Sequence, residues 1–225
     1  MHLIKSGNKY YTVKSGTKNY LWDGDYVISN GQLKVCSTDI YLKCNGAQYF
    51  DSGFKANQDT KVEVDYTPME SGTMTIYCCR DGLRVNTFTC FSPVGTTSTR
   101  YDYNTSQNTI ASNPIAGVRR YIVADKNKFY IDGVLKYTAT YSNFQSTNTM
   151  IFGCSNANGY DNYSKFKYHI IKIYDNGTLV RHFVPVPTGL QIGSYTVPSN
   201  GMFDIVNQQF YPNQGSGTFT YGKDE

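Results

Sequence analysis

The sequence contains few of the residues that favour helices. Glutamate occurs only three times, at Glu63, Glu70 and Glu225, and alanine and leucine are scarce. By contrast, the 21 tyrosines and 12 phenylalanines, with many Val, Ile and Thr, suit the half-buried surface of a pleated sheet. The 225 residues are enough for one sizeable domain, so the composition predicts an all-β protein.

Long apolar runs and runs of like charge are also missing. No window approaches the roughly 18 apolar residues of a membrane-spanning helix. The first residues, MHLIKSGNKYY, lack the apolar core of a signal peptide. The net charge of +4 is spread along the chain, which makes nucleic-acid binding a weak interpretation. We therefore expect a protein that is made in a cytoplasm, does not insert into a membrane and binds no nucleic acid.

The cysteines show no metal-binding or redox spacing. None of the six forms a CxxC pair, and a chain of this length does not need disulfides to fold. The expectation is small buried thiols, with one disulfide or a metal site as open alternatives. The cysteines are Cys36, Cys44, Cys78, Cys79, Cys90 and Cys154.

Motifs for nucleophilic catalysis and phosphate binding are absent. There is no GxSxG motif, and the single Gly215-Ser216-Gly217 cluster precedes a predicted strand instead of a helix. Of the three histidines, His2 is terminal, while His169 and His182 lie in two predicted neighbouring strands. We interpret these two as a cross-strand structural pair.

The chain divides into two parts that differ in the length and spacing of their predicted strands. Residues 1–39 hold short strand-like runs and glycine turns, which predict a small N-terminal β-hairpin appendage for attachment or oligomerisation. This appendage is too small to bury a core alone. Residues 40–225 hold longer strands at the spacing of a sandwich or barrel. Two strong hairpin signals are the turns Asp132-Gly133 and Asp175-Asn176-Gly177, each between apolar runs.

A series of segments in the second part resembles a known family. Their order is similar to that in the laminin-G-like jelly rolls of the concanavalin A-like lectin/glucanase superfamily. The segments are NGAQYFDSGF (45–54), KVEVD (61–65), KFYIDGVL (128–135) and FKYHIIKIYD (166–175). The closing segments, RHFVPV (181–186) and 201–219, resemble a subgroup found in phage and prophage tail proteins of gut Firmicutes.

This resemblance implies a fold and a range of functions. The implied fold is a two-sheet antiparallel β-sandwich with a concave front. Relatives bind glycans on that face or in its rim loops, some bind calcium and others hydrolyse glycosides. The tail subgroup implies a virion protein that contacts other tail proteins and forms a homo-oligomer, by analogy a trimer.

The hydrolase motif of that superfamily is incomplete here. Retaining glucanases carry an ExDxE or ExDxxE strand with closely paired carboxylates. Glu63-Val64-Asp65 begins such a motif, but Glu70 comes too late, after Pro68. Strand alternation places Glu63 and Asp65 together on the face opposite Val62 and Val64, where solvent-facing charges are the simpler interpretation. We therefore expect no enzyme activity.

Two long polar loops, 93–113 and 155–164, are the predicted ligand-binding regions. Sugars are bound by flat aromatic faces and by amides or carboxylates, so we select the tyrosine, asparagine and aspartate residues of these loops. They are Asn156, Asn158, Tyr160, Asp161 and Tyr163 in the later loop, and Tyr101 and Tyr103 in the earlier one. Oxygen ligands of the later loop, including Asn162, suit Ca²⁺, although Asn and Asp are also ordinary turn residues. No other cofactor is expected.

The sequence therefore predicts a non-catalytic protein that binds a glycan of the bacterial surface as a phage tail receptor-binding component. Two alternatives remain at this stage: a structural tail or baseplate protein, or a bacterial carbohydrate-binding module. The identity of the sugar does not follow from the sequence.

Overall fold

The structure is a computed structural model that describes residues 3–6, 9–12, 21–22, 25–29, 31–35, 37–94, 97–156 and 160–224. Within these ranges the regular secondary structure is entirely β-strand. The strands up to residue 94 are Leu3–Ser6 (β1), Lys9–Thr12 (β2), Leu21–Trp22 (β3), Tyr26–Ser29 (β4), Gln32–Val35 (β5), Ile40–Lys43 (β6), Phe50–Asp51 (β7), Thr60–Pro68 (β8), Thr75–Cys79 (β9) and Thr87–Val94 (β10). The next strands are Ser98–Asn104 (β11), Ser106–Ala111 (β12), Arg120–Asp125 (β13), Lys128–Ile131 (β14), Val134–Thr138 (β15), Ile151–Phe152 (β16), Phe166–Asp175 (β17) and Thr178–Val186 (β18). The last are Gln191–Ile192 (β19), Tyr195–Thr196 (β20), Gly201–Asp204 (β21), Gln209–Tyr211 (β22) and Thr220–Lys223 (β23).

Two antiparallel sheets form the main body. The front sheet has the order β12-β11-β10-β9-β16-β7. The back sheet has the order β15-β14-β13-β8-β17-β18-β21-β22, and β6 joins it by pairing with β17 and β23. Strands β1 to β5 form a separate sheet in sequence order, and β19 pairs with β20. The prediction of an all-β, two-sheet antiparallel sandwich is confirmed.

The core between the two sheets follows from strand alternation. Val62 and Val64 of β8 point inward and are fully buried, as the alternating pattern predicts. Phe88 of the front sheet belongs to the same buried cluster as these valines. Its ring centroid lies 5.9 Å from that of Tyr77 and 5.8 Å from that of Tyr101. The abundance of tyrosine is thus explained mainly by packing, since aromatic rings bury large areas.

Both predicted hairpin turns are present. Asp175 pairs with Thr178 across the β17–β18 turn, where Asn176 and Gly177 have φ angles of 46° and 80°. The turn at Asp132-Gly133 has the same geometry, with φ of 50° and 78°. Two successive positive φ values give a two-residue turn that matches the twist of the strands, and Asn-Gly and Asp-Gly adopt it readily.

The N-terminal sheet packs against the main body. Tyr26, Ile28 and Leu33 share one buried cluster with residues of β18, β21 and the 190–197 segment, including Val184. Tyr26 Oη also donates a hydrogen bond to the Pro185 carbonyl at 2.5 Å. This contact meets the expectation that the appendage packs on a larger unit. A domain boundary at residue 39 stays a prediction, and residues 13–20 and 23–24 of the predicted appendage lie outside the described residues.

The five described cysteines are buried free thiols, as expected, and Cys36 lies outside the described residues. The predicted His169–His182 pair is wrong. His182 lies opposite Lys172 in the β17–β18 register. The ring of His169 instead lies 3.1 Å from the Ile40 carbonyl oxygen and 3.1 Å from Thr67 Oγ1. A search of the described residues finds no helix long and apolar enough to cross a membrane.

Candidate functional site

The earlier of the two predicted loops is not a loop. Most of segment 93–113 forms β11 and β12, and the rings of Tyr101 and Tyr103 are fully buried. Tyr101 stacks on Phe129 at 4.8 Å between ring centroids. These two tyrosines were wrongly assigned to ligand binding, because alternation along β11 turns them into the core. The same alternation turns Arg100 and Asp102 onto the outer face of the front sheet.

A cleft of 470 Å³ lies on this outer face, and we call it the arginine cleft. Its walls come from the front sheet, from the 81–86 loop and from the loop between β16 and β17. The lining residues are Thr73, Arg80, Leu83, Arg84, Phe91, Arg100, Gln107, Asp161 and Asn162. One of them, Asp161, is a predicted site residue.

Two arginines share one aromatic ring at the bottom of the cleft. The guanidinium of Arg100 lies 4.1 Å from the centroid of Phe91, and that of Arg80 lies 5.8 Å from it. Arg100 is opposite Phe91 in the β10–β11 register, which fixes the first contact. The side chain of Arg100 is 25% exposed, whereas Arg80 is 4% exposed overall. Arg100 is therefore the accessible cation and Arg80 the deep one.

Several buried polar atoms around these arginines have no hydrogen-bond partner among the described residues. They are Arg80 Nε and Nη1 and, by strict hydrogen-bond geometry, Arg100 Nε and both carboxylate oxygens of Asp102. The Arg100 side chain and the backbone N–H of Asn108 still lie close enough to Asp102 to favour its ionised form, so the two nitrogens of Arg80 are the clearest case. Arg100 Nε does lie 3.1 Å from Asp102 Oδ2, as an ion pair whose geometry makes no hydrogen bond. Buried polar groups in folded proteins are nearly always hydrogen-bonded, so this cluster calls for an explanation.

A large fraction of the Asp102 carboxyl group is protonated, and so uncharged, at mildly acidic pH. Burial raises the pKa of its carboxyl to about 6, and the positive charges of Arg100 and Arg80 offset only part of that effect. A carboxyl with such a pKa can accept or donate a hydrogen bond within the physiological range.

The 81–86 loop is anchored by Asp81. One carboxylate oxygen of Asp81 accepts hydrogen bonds from Ser146 Oγ at 2.9 Å and Thr147 N at 2.8 Å, and the other accepts from Asn86 Nδ2 at 2.8 Å. Burial opposes ionisation, but the bonds from Asn86, Asn148 and Thr147 together outweigh it and lower the pKa of Asp81 to about 2. This anchor holds Arg84, whose φ of 58° is uncommon for a residue with a side chain, at the rim of the cleft.

The later predicted loop forms a wall of the arginine cleft. Ser155 and Asp161 pair across it through two backbone hydrogen bonds. Arg80 Nη2 donates to Ser155 Oγ at 2.5 Å, and Cys78 Sγ lies 3.1 Å from Asn156 Oδ1 as a donor. The loop is thus tied to the front sheet by side chains on the outer face of β9 and just after it. The predicted site residue Asn158 lies outside the described residues.

An aromatic platform stands beside this wall. Tyr160 is 52% exposed and stacks on Tyr49, with 4.6 Å between ring centroids and 22° between ring planes. Tyr163 is tilted against the same Tyr49 ring at 6.4 Å. Tyr160 directly precedes Asp161, which lines the cleft, so the platform and the cleft share this loop. Of the predicted loop residues, Asp161 lines the cleft, and Tyr160 and Tyr163 pack on the Tyr49 ring. Asn156 instead contacts Cys78.

A smaller cavity of 310 Å³ on the back sheet differs from the arginine cleft in its charges. Its Lys126 pairs with Asp59 at 3.0 Å, and its Lys61 pairs with Glu63 at 2.7 Å. Here both lysines are paired within the protein, whereas in the arginine cleft Arg100 pairs with Asp102 and Arg80 has no carboxylate partner among the described residues.

The carboxylates of the incomplete glucanase motif lie outside the front sheet. Glu63 is on the outer face of β8, where it also accepts a hydrogen bond from Tyr121 Oη at 2.7 Å. Asp65 on the same face accepts two hydrogen bonds from Arg119, each 2.7 Å. Both are therefore engaged in ion pairs, and Glu63 is more covered than the solvent-facing interpretation implies.

No group of three or more His, Cys, Asp or Glu side chains that could hold a metal occurs in the part of the chain that the structure describes. Calcium binding by the later loop stays a prediction, since amide and backbone oxygens also bind Ca²⁺.

Arg80, Arg100 and Asp102 are not among the site residues predicted from the sequence. A signal was available in Arg100-Tyr101-Asp102-Tyr103, where alternating charged and aromatic residues are typical of a strand with one core face and one polar face. The pairing of Arg80 with Phe91 had no such signal, because it depends on the register between β9 and β10.

Comparison with known proteins supports the fold. No family model matches the chain, and no curated protein matches it. Among solved structures, the chain is similar to the native heptameric SAP-like pentraxin from Limulus polyphemus, with 11% sequence identity and a TM-score of 0.53. The match covers 84% of this chain and 97% of the pentraxin. The fold of this chain is accordingly a jelly-roll β-sandwich like that of the pentraxin.

Proposed function

We propose that this protein binds carbohydrate, without catalysis, in the arginine cleft and on the adjoining Tyr160 platform. The observation that carries this proposal is the set of buried polar atoms without a full complement of hydrogen bonds, above all Nε and Nη1 of Arg80, beside the Arg100–Asp102 ion pair and an exposed aromatic ring. An unpaired buried polar group costs free energy, and a polar ligand that supplies the missing partners recovers it.

The chemistry of the cleft suits a sugar. The hydroxyls of a pyranose need donors and acceptors at close spacing, which the guanidinium groups and the amides of Gln107 and Asn162 can provide. The apolar C–H face of the ring needs a flat partner, and Tyr160 exposes half of its surface for stacking. This combination of a rigid sheet face and a polar loop is common in binding sites.

Replacing Tyr160 with alanine is expected to weaken glycan binding roughly tenfold, because aromatic contacts of this kind contribute about 1 kcal/mol or more. Stability should change by less than about 1 kcal/mol, since half of the ring is already exposed. Titration calorimetry and thermal unfolding of Tyr160→Ala check the two expectations. Tyr195→Ala, another exposed tyrosine at 42% exposure, is the matched control and should bind normally.

A glycan array, combined with binding to isolated cell walls of gut Firmicutes, tests the function as a whole. Saturable binding that weakens in Tyr160→Ala supports a lectin-like protein. Repeating the assay with added Ca²⁺ and with a chelator tests the calcium prediction. A well-folded protein that binds neither panel contradicts the proposal.

We propose further that the protein acts on a virion, as a tail component that attaches a phage to its bacterial host. Support for this finer assignment comes from the resemblance of segments 181–186 and 201–219 to tail proteins. A single shallow glycan site is usually weak, and display on an oligomer raises avidity. We expect a trimer, whereas the similar pentraxin is described as a heptamer. Light scattering of the purified protein measures the molar mass of the assembly and so distinguishes the two.

A structural role in a tail or baseplate is the second candidate. The edge strand β15 of the back sheet exposes Val134 and Leu135, at 54% and 49%. Exposed apolar residues on an edge strand favour pairing with another chain. Val134→Lys with Leu135→Lys should then abolish assembly and leave glycan binding unchanged, which separates this candidate from the first.

A further inference from the structure

We propose that the sugar bound in the arginine cleft carries a carboxylate, which lies against Arg100 above the deeper Arg80. This inference rests on the proposed function, since it specifies the chemical class of the ligand of the same site.

Positive charge is concentrated around Phe91. The guanidinium groups of Arg80 and Arg100 both lie within 5.8 Å of the centroid of its ring. Two like charges that share a partly buried site repel each other more strongly than they would in water. An anion bound between them would turn the repulsion into two attractions.

The protein supplies too little negative charge of its own at this site. Three arginines, Arg80, Arg84 and Arg100, face the cleft, against Asp161 at the rim and Asp102 beneath it. Even with both aspartates ionised, three positive charges against two negative ones leave a net charge of +1. The charge of Asp102 is itself disfavoured by burial, which increases the positive excess.

The hydrogen bonds of Arg80 are incomplete. Its Nη2 donates to Ser155 Oγ, but Nε and Nη1 have no acceptor among the described residues, although only 4% of the residue is exposed. The donors of a buried arginine usually all have acceptors, because the planar guanidinium group pairs well with planar acceptor groups. Arg80 is thus a buried cation with unused donors, and it lies below the accessible Arg100. This arrangement fits an acid group that enters from the cleft.

A carboxylate fits better than a phosphate monoester. Asp102 lies 3.1 Å from Arg100, so a ligand with two negative charges would meet stronger repulsion than a ligand with one. The two coplanar oxygens of a carboxylate also match the planar donors of a guanidinium.

Paired glycans that differ only in the acid group test the inference. Calorimetry is performed with trigalacturonic acid and with sialyllactose, each compared with its carboxyl-reduced form, and with a sulfated and a phosphorylated galactoside. We expect binding by at least one carboxylated probe and a loss of about tenfold or more in its neutral partner. Equal binding of the neutral partner overturns the inference and leaves the proposed function intact. A preference for the sulfated or phosphorylated probe also overturns it. Absence of binding to these probes and to the whole glycan array overturns the proposed function as well.

Variants locate the acid group. Arg100→Gln should weaken binding of the carboxylated probe roughly 10- to 100-fold and leave the neutral partner unchanged, because only the charge-assisted bonds are lost. Arg80→Gln should act in the same direction and repeats the test if the first variant folds poorly. Arg119→Gln, on the back sheet and bonded to Asp65, is the control that should bind like the unaltered protein. Equal loss for the charged and neutral probes in Arg100→Gln would contradict contact with the acid group.

Discussion

Replacing Tyr101 with alanine is expected to lower the free energy of unfolding by about 3–5 kcal/mol, the range for removal of a large buried ring. Its ring is fully buried between Phe88 and Phe129, and its hydroxyl donates to the Lys126 carbonyl. Little rearrangement can fill the resulting space, because rings on both sides are held in paired strands. Urea unfolding at constant pH measures the loss.

Tyr101→Phe and Tyr160→Ala give this experiment its controls. Tyr101→Phe keeps the ring and loses one hydrogen bond, which should cost about 1 kcal/mol. Tyr160→Ala should be nearly neutral for stability and affect binding instead. If Tyr101→Ala unfolds at nearly the same urea concentration as the unaltered protein, the core position of β11 is wrong.

Replacing Asp102 with asparagine is expected to stabilise the protein by about 1–3 kcal/mol above pH 6, because the substitution removes the buried negative charge that Asp102 carries at that pH. The pKa of Asp102 is about 6 in the folded state, against an ordinary value of 3.8. Between these two pH values the folded state holds a proton that the unfolded state has released. The contribution of Asp102 to the free energy of unfolding is therefore fully present below pH 3.8, decreases as pH rises towards 6 and is lost above pH 6.

The difference in stability between Asp102→Asn and the unaltered protein isolates this effect. Two histidines, His169 buried and His182 partly buried, act in the opposite direction: desolvation lowers the pKa of His182 to about 4 and also lowers that of His169. Their contribution is lost as pH falls from 6.5, and it cancels in the difference because both proteins contain them. The neighbours of Asp102 that carry charge or titrate are Arg80, Arg100, Tyr77, Cys90 and Tyr101. Burial raises the pKa values of the last three far above this range. A difference that does not grow between pH 3.8 and 6 would contradict the assignment.

The same carboxyl should make binding of an acidic sugar depend on pH. Ionised Asp102 repels an anion in the cleft, so affinity for the carboxylated probe should fall several-fold as pH rises through 6. The Asp102→Asn variant should show a flatter profile. Calorimetry at a series of pH values compares the two proteins, with a neutral sugar as the reference for effects unrelated to charge.

The parts of the fold that could be predicted from the sequence are those set by local patterns. The Asn176-Gly177 and Asp132-Gly133 turns are specified by two adjacent residues each, and the inward side of β8 by the alternation of Val62 and Val64. The jelly-roll architecture came from the order of several segments. The later polar loop was also located correctly, since the Asn-rich sequence around Tyr160 favours no regular strand.

The parts that could not be predicted depend on distant contacts. Residues Tyr101 and Tyr103 are flanked by Ser, Thr and Asn, which favour a loop locally, but pairing of β11 with both β10 and β12 overrides that preference. The arginine cleft needs the register that places Arg100 opposite Phe91, and the placement of Arg80 by Ser155, which is 75 residues away in the sequence. No local pattern specifies either contact.

The most direct measurement is a titration of the protein with its best carboxylated probe, followed by the side-chain Nε–H signals of its arginines in ¹⁵N-labelled protein. The account predicts that the signals of Arg100 and Arg80 shift saturably while that of Arg119, bonded to Asp65 on the back sheet, stays in place. Saturable binding that shifts Arg119 or residues of the Lys61–Lys126 cavity, and leaves Arg80 and Arg100 unchanged, would contradict it.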